Sequence, residues 1–156
     1  MTQTAERSEV HATFTLERTY PVPVARVWTA FADLEAKRAW FGTEHDDLTM
    51  TAFDDDFRVG GQGINDGRFG DGPMSKFRST YTDIVEQQRI VYVYDMWLDD
   101  AHISTSVTTV TLEPTDEGTR LVFVEHGVHL DGHASAEGRE EGTGEILDAL
   151  GRSLVS

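Results

Sequence analysis

The chain has 156 residues and a formal net charge of −15 at pH 7, from 28 acidic and 13 basic side chains. This length predicts one domain with a hydrophobic core. So negative a surface repels phosphate backbones and anionic lipid headgroups, which argues against nucleic acid and membranes as partners. No cysteine is present, so disulfides, thiol nucleophiles and Cys-based metal sites are excluded.

The N-terminal region predicts a short tail followed by a strand. Residues 1–9 are polar and predict a disordered tail before a single domain at 10–156. They contain no apolar segment of the kind found in signal peptides, and no apolar run in the chain approaches the roughly 20 residues of a membrane span. We therefore expect a cytoplasmic protein. Residues 11–20 alternate apolar and polar side chains, which predicts a half-buried strand.

Two short helices are predicted next. Apolar residues follow Pro23 at the helical spacing i, i+3, i+4 and i+7, and they are Val24, Val27, Trp28 and Phe31. Asp33 is the predicted N-cap of a second helix at 34–40, and Gly42 is expected to end it.

The middle of the chain predicts strands and turns. Asp54 to Asp56 predict a turn, and the many glycines of 60–73 predict a loop. In 102–112 the apolar alternation changes parity, which predicts a bulge or a bend in the sheet. Strands are predicted at 48–53, 57–59, 77–85, 89–97, 102–112 and 121–128.

A long helix is predicted at the C-terminal end. Ser135 is its expected N-cap, and its apolar stripe consists of Ile146, Leu147, Leu150 and Leu154. It is the one predicted element large enough to cover the buried face of an antiparallel sheet. The predicted fold class is therefore α+β of the helix-grip type, with a curved antiparallel sheet of about six to seven strands around the C-terminal helix.

At this point the sequence resembles the START/Bet v 1-like (SRPBCC) superfamily, and within it the polyketide cyclase-like group related to the activator of Hsp90 ATPase. The resemblance extends over about residues 10–155. The residues that carry it are Arg18, Val27, Trp28, Trp40, Phe41, Gly42, Gly60, Gly61, Tyr81, Asp83, Ile84, Arg89 to Tyr92, Thr119 to Leu121, Glu125 to Gly127, Leu130 to Gly132 and Arg139 to Thr143.

The resemblance implies a cavity between sheet and helix that holds a hydrophobic ligand. Two departures limit what it implies about activity. Relatives often have Gly-Trp at the start of the last helix, where this chain has Gly142 and Thr143. The eukaryotic co-chaperone also carries an additional Hsp90-binding domain that is not found in these 156 residues.

Aromatic and apolar side chains on the strands and helix ends are the predicted ligand-binding residues. Aromatic walls with phenol or indole groups as polar handles are typical of small-molecule sites. The alternative is that these side chains only fill the core. The predicted ligand-binding residues are Trp40, Phe41, Phe57, Phe69, Phe77, Tyr81, Tyr94, Met96, Trp97, Phe123 and Leu147.

Acid–base candidates are few. Tyr81, Glu125 and His126 are the candidate catalytic residues, since a buried carboxylate with a raised pKa can act as a general base. His126 and His129 have opposite parity on a strand, so they do not form a metal pair, and no metal or other cofactor is predicted.

Three functions remain open at this stage. We favour a binding protein for a hydrophobic or amphipathic small molecule. The first alternative is an enzyme of cyclase, hydrolase or dehydratase type, and the second is an Hsp90-type chaperone helper. A homodimer through an exposed strand or helix face stays open as well.

Overall fold

A computed structural model describes residues 6–42 and 47–155 of the chain. In the part of the chain that the structure describes, one strand is followed by two short helices, six strands and a long helix, which is the order that the sequence predicts. The elements are β1 (Glu9–Tyr20), α1 (Val24–Ala32), α2 (Leu34–Arg38), β2 (Leu48–Asp55), β3 (Gln62–Phe69), β4 (Met74–Val85), β5 (Arg89–Leu98), β6 (Ala101–Thr115), β7 (Gly118–Leu130) and α3 (Ala136–Val155).

All seven strands form one antiparallel sheet in the order β1-β7-β6-β5-β4-β3-β2. Strands β2 to β7 follow one another as hairpins, and β1 pairs with β7 at the far edge. Register shifts interrupt the pairing between Met50 and Ala52, between Tyr81 and Asp83, and between Met96 and Trp97. Such bulges bend a sheet, so the predicted curvature has a local cause. The α+β helix-grip fold is confirmed.

The glycine-rich segment is where the prediction of local structure fails. Residues 62–69 were expected in a loop but form β3. A Cβ at Gly63 would lie 2.5 Å from the Ser79 hydroxyl and 2.9 Å from Oδ1 of Asp55. The glycine therefore lets neighbouring side chains approach the strand, rather than breaking it. Asp55 likewise belongs to β2 and not to the predicted turn, whereas the predicted strand at 57–59 is not formed.

The helix ends follow the sequence more closely. The carboxylate of Asp33 accepts a hydrogen bond from the backbone N–H of Ala36 at 2.9 Å, which confirms the predicted N-cap of α2. The Ser135 hydroxyl accepts from the N–H of Gly138 at 2.9 Å at the start of α3. None of the described helices is long and apolar enough to cross a membrane.

Helix α3 lies across the open side of the curved sheet, and its closest backbone neighbours are β1 and α1. The Tyr20 hydroxyl donates to the carbonyl oxygen of Leu147 at 2.7 Å. Leu147, Leu150 and Leu154 are buried in the main core with α1 and the middle of β6 and β7. This contact fixes the C-terminal half of α3 on the sheet.

The first described residues are bonded to Asp131, which directly follows the C-terminal end of β7. The backbone N–H of Ser8 and the guanidinium of Arg7 both donate to the Asp131 carboxylate, at 3.0 Å each. Strand β1 begins at Glu9. The ordered domain thus includes residues that the sequence assigned to the tail, whose first five residues lie outside the described part.

Candidate functional site

The inner face of the sheet has an apolar half and a polar half. Below the C-terminal half of α3 it presents large buried side chains, among them Val110, Leu121 and Phe123. Towards the N-terminal end of α3 the same face presents small and polar ones. These are Ser104, Ser106 and Thr108 on β6 and Glu125, Gly127 and His129 on β7, paired across the two strands.

A charged cluster lies at the centre of the polar half. The Tyr94 hydroxyl donates to Oε2 of Glu125 at 2.8 Å, and the Thr108 hydroxyl donates to Oε1 at 3.0 Å. From α3, Arg139 donates to the hydroxyls of Tyr94 at 2.9 Å and of Ser104 at 2.8 Å. Its Nη1 lies 3.9 Å from Oε2 of Glu125. The cluster therefore joins β5, β6, β7 and the first turns of α3.

Two buried polar atoms beside this cluster form no hydrogen bond of standard geometry among the described residues, although the first of them lies close enough to Tyr94 to lower the pKa of that phenol. They are Oγ of Ser106 and Nδ1 of His129. Ser106 pairs with Tyr94 on β5 and with Gly127 on β7. Because glycine has no side chain, no side chain stands next to Ser106 on the β7 side. Buried polar groups are nearly always hydrogen-bonded in proteins, and an exception calls for a missing partner.

Aromatic rings form a continuous chain from α1 to the charged cluster. Neighbouring ring centroids lie 4.7–6.0 Å apart, within the range of favourable ring pairs. In spatial order the rings are Trp28, Phe57, Tyr81, Tyr92, Tyr94, Phe77, Phe41 and Trp40.

Tyr92 is the ring whose burial is informative. It lies on the inner face of β5, the middle strand of the sheet, with Tyr81 and Thr108 as its neighbours across the ladder. Its side chain nevertheless keeps some accessible surface, as does that of Phe77, although the Tyr92 hydroxyl itself is buried and burial raises its pKa well above the usual value. Accessible surface at the centre of an inner face means that the side chains around it do not fill the space against it.

A second polar cluster lies beside two other members of the ring chain, Tyr81 and Phe41. The Lys37 ammonium donates to Oδ1 of Asp55 at 3.0 Å and to the Tyr81 hydroxyl at 2.9 Å. The Tyr81 hydroxyl in turn donates to the same carboxylate at 2.7 Å. The ammonium also lies 4.9 Å from the ring centroid of Phe41. Lys37 is buried because α2 is short and packs this side chain against β2.

Burial sets the direction of the pKa shifts in both clusters. It raises the pKa of Glu125 above its ordinary value, against the opposing effects of Tyr94, Arg139 and Thr108. It lowers the pKa of Lys37, although Asp55 opposes the shift. It lowers the pKa of His129, and the positive charge of Arg139 acts in the same direction.

The tyrosine hydroxyls are shifted upward. Burial, reinforced by the Asp55 carboxylate, raises the pKa of Tyr81 far above 10. Burial and Glu125 raise the pKa of Tyr94 in the same way. Both phenols are therefore protonated hydrogen-bond donors at neutral pH and not bases.

The structure brings together most of the side chains that the sequence selects. Six predicted ligand-binding residues belong to the ring chain, and Met96 lies next to Tyr94 on the inner face. Phe123 and Leu147 belong to the adjoining core. The six are Trp40, Phe41, Phe57, Phe77, Tyr81 and Tyr94.

Three of the selected residues lie elsewhere. Phe69 is 56% exposed at the end of β3. Trp97 stacks on His102 with ring centroids 5.0 Å apart, on the opposite face of β5 from Tyr94. His126, a candidate catalytic residue, is on the outer face of β7, where Nδ1 lies 2.8 Å from the Thr13 hydroxyl. Glu125 and Tyr81 do lie inside.

Five residues in or beside the two clusters, in addition to Ser104 and Thr108, were not selected from the sequence. The signal for Asp55 was hidden in a run of three aspartates, which is typical of a turn. Lys37 follows Asp33 in a short helix and looks like a solvent-exposed position. Arg139, His129 and Ser106 carried no distinguishing pattern, since only the register of β5 to β7 brings them together.

Two open grooves lie outside this region. One of about 500 Å³ lies between α2 and β2. The other, of about 460 Å³, lies between β1 and α3 and is lined mainly by carboxylates. The second groove lacks the apolar wall that small-molecule sites use. The first combines apolar side chains such as Met50 and Phe53 with the polar Glu35 and Arg38, but it is an open groove on the surface. In residues 6–42 and 47–155, no group of three or more His, Asp or Glu side chains is arranged to hold a metal ion.

Comparisons with known proteins agree with the fold. A family model described as Activator of Hsp90 ATPase homolog 1-like protein matches residues 21–154. A solved structure from Rhizobium leguminosarum, of an uncharacterised protein, is 41% identical, with 96% of this chain and 97% of that chain covered and a TM-score of 0.90. A second one, from Rhizobium loti, is 43% identical, with 94% and 99% covered and a TM-score of 0.86.

A more distant structure, from Chromobacterium violaceum, is 27% identical over 92% of this chain and 97% of that chain, with a TM-score of 0.76. No protein of curated function is significantly similar in sequence. The comparisons therefore establish the family and the fold, and the role has to be argued from the site.

Proposed function

This chain belongs to the Activator of Hsp90 ATPase homolog 1-like family, and we propose that it binds a hydrophobic or amphipathic small molecule between the inner face of the sheet and α3. The ligand lies against Tyr92 and Phe77, over the row of small residues formed by Ser106 and Gly127. Its polar end faces Arg139 and its neighbours.

The partial burial of Tyr92 carries this proposal. A ring at the centre of the middle strand would be fully buried if the domain were packed solid, because protein interiors are close-packed. Tyr92 keeps accessible surface instead. The backbone of α3 approaches β1 and α1 more closely than it approaches β4 to β6, which it reaches through the long side chain of Arg139.

The distribution of polar groups supports a binding site over a plain core. Two buried ion pairs are costly to place in an interior, and apolar side chains of similar volume often serve stability as well or better. Ser106 and His129 add two buried polar atoms without a partner. A bound molecule with polar groups explains why these side chains are retained.

A cavity-filling substitution tests the proposal. If the space over Ser106 is open, Ser106→Leu will be tolerated and will block the ligand. If the space is packed, the same change will overpack the core and cost about 1–3 kcal/mol, or roughly 2–12 °C in Tm for a domain of this length. Thr109→Leu, on the outer face of the same strand, is the matched control.

Binding itself is measured on wild type and both variants. Native mass spectrometry of protein purified without denaturation detects a co-purifying ligand, and a thermal-shift screen of lipids, polyketides and aromatic compounds detects stabilisation. We expect wild type and Thr109→Leu to bind the ligand. Ser106→Leu should not bind it, and its Tm should equal that of the wild type. The proposal fails if no compound binds the wild type and Ser106→Leu is destabilised.

Acid–base catalysis is the second candidate, and the buried Glu125 with its raised pKa favours it. Both oxygens of this carboxylate already accept hydrogen bonds, from Tyr94 and Thr108, which suits a positioned group better than a free base. An enzyme would lose turnover in Glu125→Gln while the ligand still binds. Activation of an Hsp90-type ATPase, which the family description names, is tested by a pull-down with Hsp90.

A further inference from the structure

We infer that the ligand is uncharged at its buried end and is held there through hydroxyl or carbonyl groups, so that the site rejects the carboxylate of an otherwise identical skeleton. This inference rests on the proposed function and names the ligand class of the same site. It follows from the charges and the unpartnered polar atoms of the polar half.

The interior charges of the described residues already balance one another. Arg139 lies 3.9 Å from the Glu125 carboxylate, with the Tyr94 hydroxyl bonded to both. Beside Tyr81, Lys37 is bonded to Asp55 at 3.0 Å. Each buried cation thus faces a buried carboxylate, and the site holds no spare positive charge for an anionic ligand.

The two polar atoms that lack a partner belong to uncharged groups. The Ser106 hydroxyl can donate or accept, and Nδ1 of His129 belongs to an imidazole that burial and Arg139 keep neutral. These two side chains lie on neighbouring strands, and His129 pairs with Ser104, which already binds Arg139. Such a pair fits a hydroxyl or a carbonyl of the ligand.

A ligand carboxylate would meet the opposite situation. It would bring a second negative charge next to Glu125, which is itself buried. Burying a charge without its own partner is far more costly than burying a hydrogen-bonded neutral group. A hydroxyl or carbonyl in the same position adds no charge and supplies the partner that Ser106 and His129 lack.

Matched pairs of probes separate the two classes. Each pair has one skeleton with either a hydroxyl or a carboxylate, and the set includes 2-naphthol with 2-naphthoate and 1-decanol with decanoate. Binding is measured by thermal shift and calorimetry at pH 7.5, where the acids are ionised. We expect the hydroxyl member of the binding pairs to bind roughly tenfold or more tightly than the carboxylate.

The outcomes distinguish this inference from the proposed function. If carboxylates bind as tightly as the hydroxyl compounds, the inference is overturned while a small-molecule receptor remains. If no member of either class binds, both are overturned. A preference for hydroxyl compounds that disappears when the polar half is altered supports both.

The altered variant is His129→Leu, which replaces a buried, unpartnered imidazole by an apolar side chain and should leave the fold stable. We expect it to weaken the hydroxyl compounds roughly 3- to 10-fold, the effect of one hydrogen bond. His126→Leu, on the outer face of the same strand, should leave the affinity unchanged. Equal affinity of wild type and His129→Leu would refute the assignment of this end of the site.

Discussion

Replacing Asp55 by asparagine tests whether the buried lysine depends on its carboxylate. The Lys37 and Asp55 side chains are 9% and 5% exposed, and Nζ lies 3.0 Å from Oδ1. The Asp55→Asn variant keeps the shape and removes the charge. Lys37 is then left as a buried ammonium whose hydrogen-bond partners in the cluster, the amide oxygen at position 55 and the Tyr81 hydroxyl, are both neutral.

The expected loss is large because the charge stays buried. At an effective dielectric constant of about 20, two unit charges 3.0 Å apart attract each other by roughly 5.5 kcal/mol. Removing one partner of a buried pair costs about 3–5 kcal/mol in measured cases. For a domain of this length that corresponds to a fall in Tm of roughly 6–20 °C.

The neighbouring residue supplies the control. Asp56 pairs with Arg58 at 2.8 Å, but the two side chains are 50% and 70% exposed. Asp56→Asn should therefore cost about 0–1 kcal/mol. The double variant Lys37→Met/Asp55→Asn should recover most of the loss of Asp55→Asn. Urea unfolding of the four proteins measures these values, and a difference below about 1 kcal/mol between the two Asn variants refutes the reasoning.

The remaining predictions concern the backbone, the helix contact and pH. Gly118 and Gly60 both have positive φ, but a Cβ at Gly118 would collide with the carbonyl oxygen of Tyr20, whereas a Cβ at Gly60 would meet open space. Gly118→Ala should therefore lower Tm clearly more than Gly60→Ala, and equal shifts would contradict this. Tyr20→Phe removes the hydroxyl bonded to Leu147 and should cost about 0.5–1.5 kcal/mol in urea unfolding; no loss would argue against this contact. Burial raises the pKa of Glu125 above 4.5. The stability that this shift contributes is therefore full below pH 4.5 and is lost as the pH rises through the raised value. The Tm of wild type minus that of Glu125→Gln should fall with pH from 4.5 upward, and a constant difference would contradict the shift.

The overall fold could be predicted because it depends on patterns that a sequence displays. The alternation in 11–20 and 89–97 and the stripe of the C-terminal helix are each local, and their order admits few arrangements. The glycine-rich β3 could not be predicted in this way. Whether Gly63 breaks a strand or makes room for a neighbour depends on Ser79 and Asp55, which the sequence places 16 and 8 positions away.

The aromatic part of the site was also predictable, and the polar part was not. Rings such as Phe77 and Tyr94 alternate with polar residues on strands, so their face could be inferred. Trp97 follows the opposite parity and lies outside. Glu125 was a candidate from the sequence, but its neighbours Arg139 and Thr108 look like ordinary surface residues, and only the pairing of β6 with β7 under α3 brings them to it.

The two polar clusters differ in whether they leave hydrogen-bonding groups available to a ligand. Lys37 and Asp55 form hydrogen bonds with each other and with Tyr81. The polar groups of this cluster therefore have partners without a ligand. Around Arg139 the charges are balanced but Ser106 and His129 still lack partners. A molecule that lies along the rings therefore gains hydrogen bonds at the α3 end only. This asymmetry predicts one orientation for the ligand, with its polar group towards the start of α3.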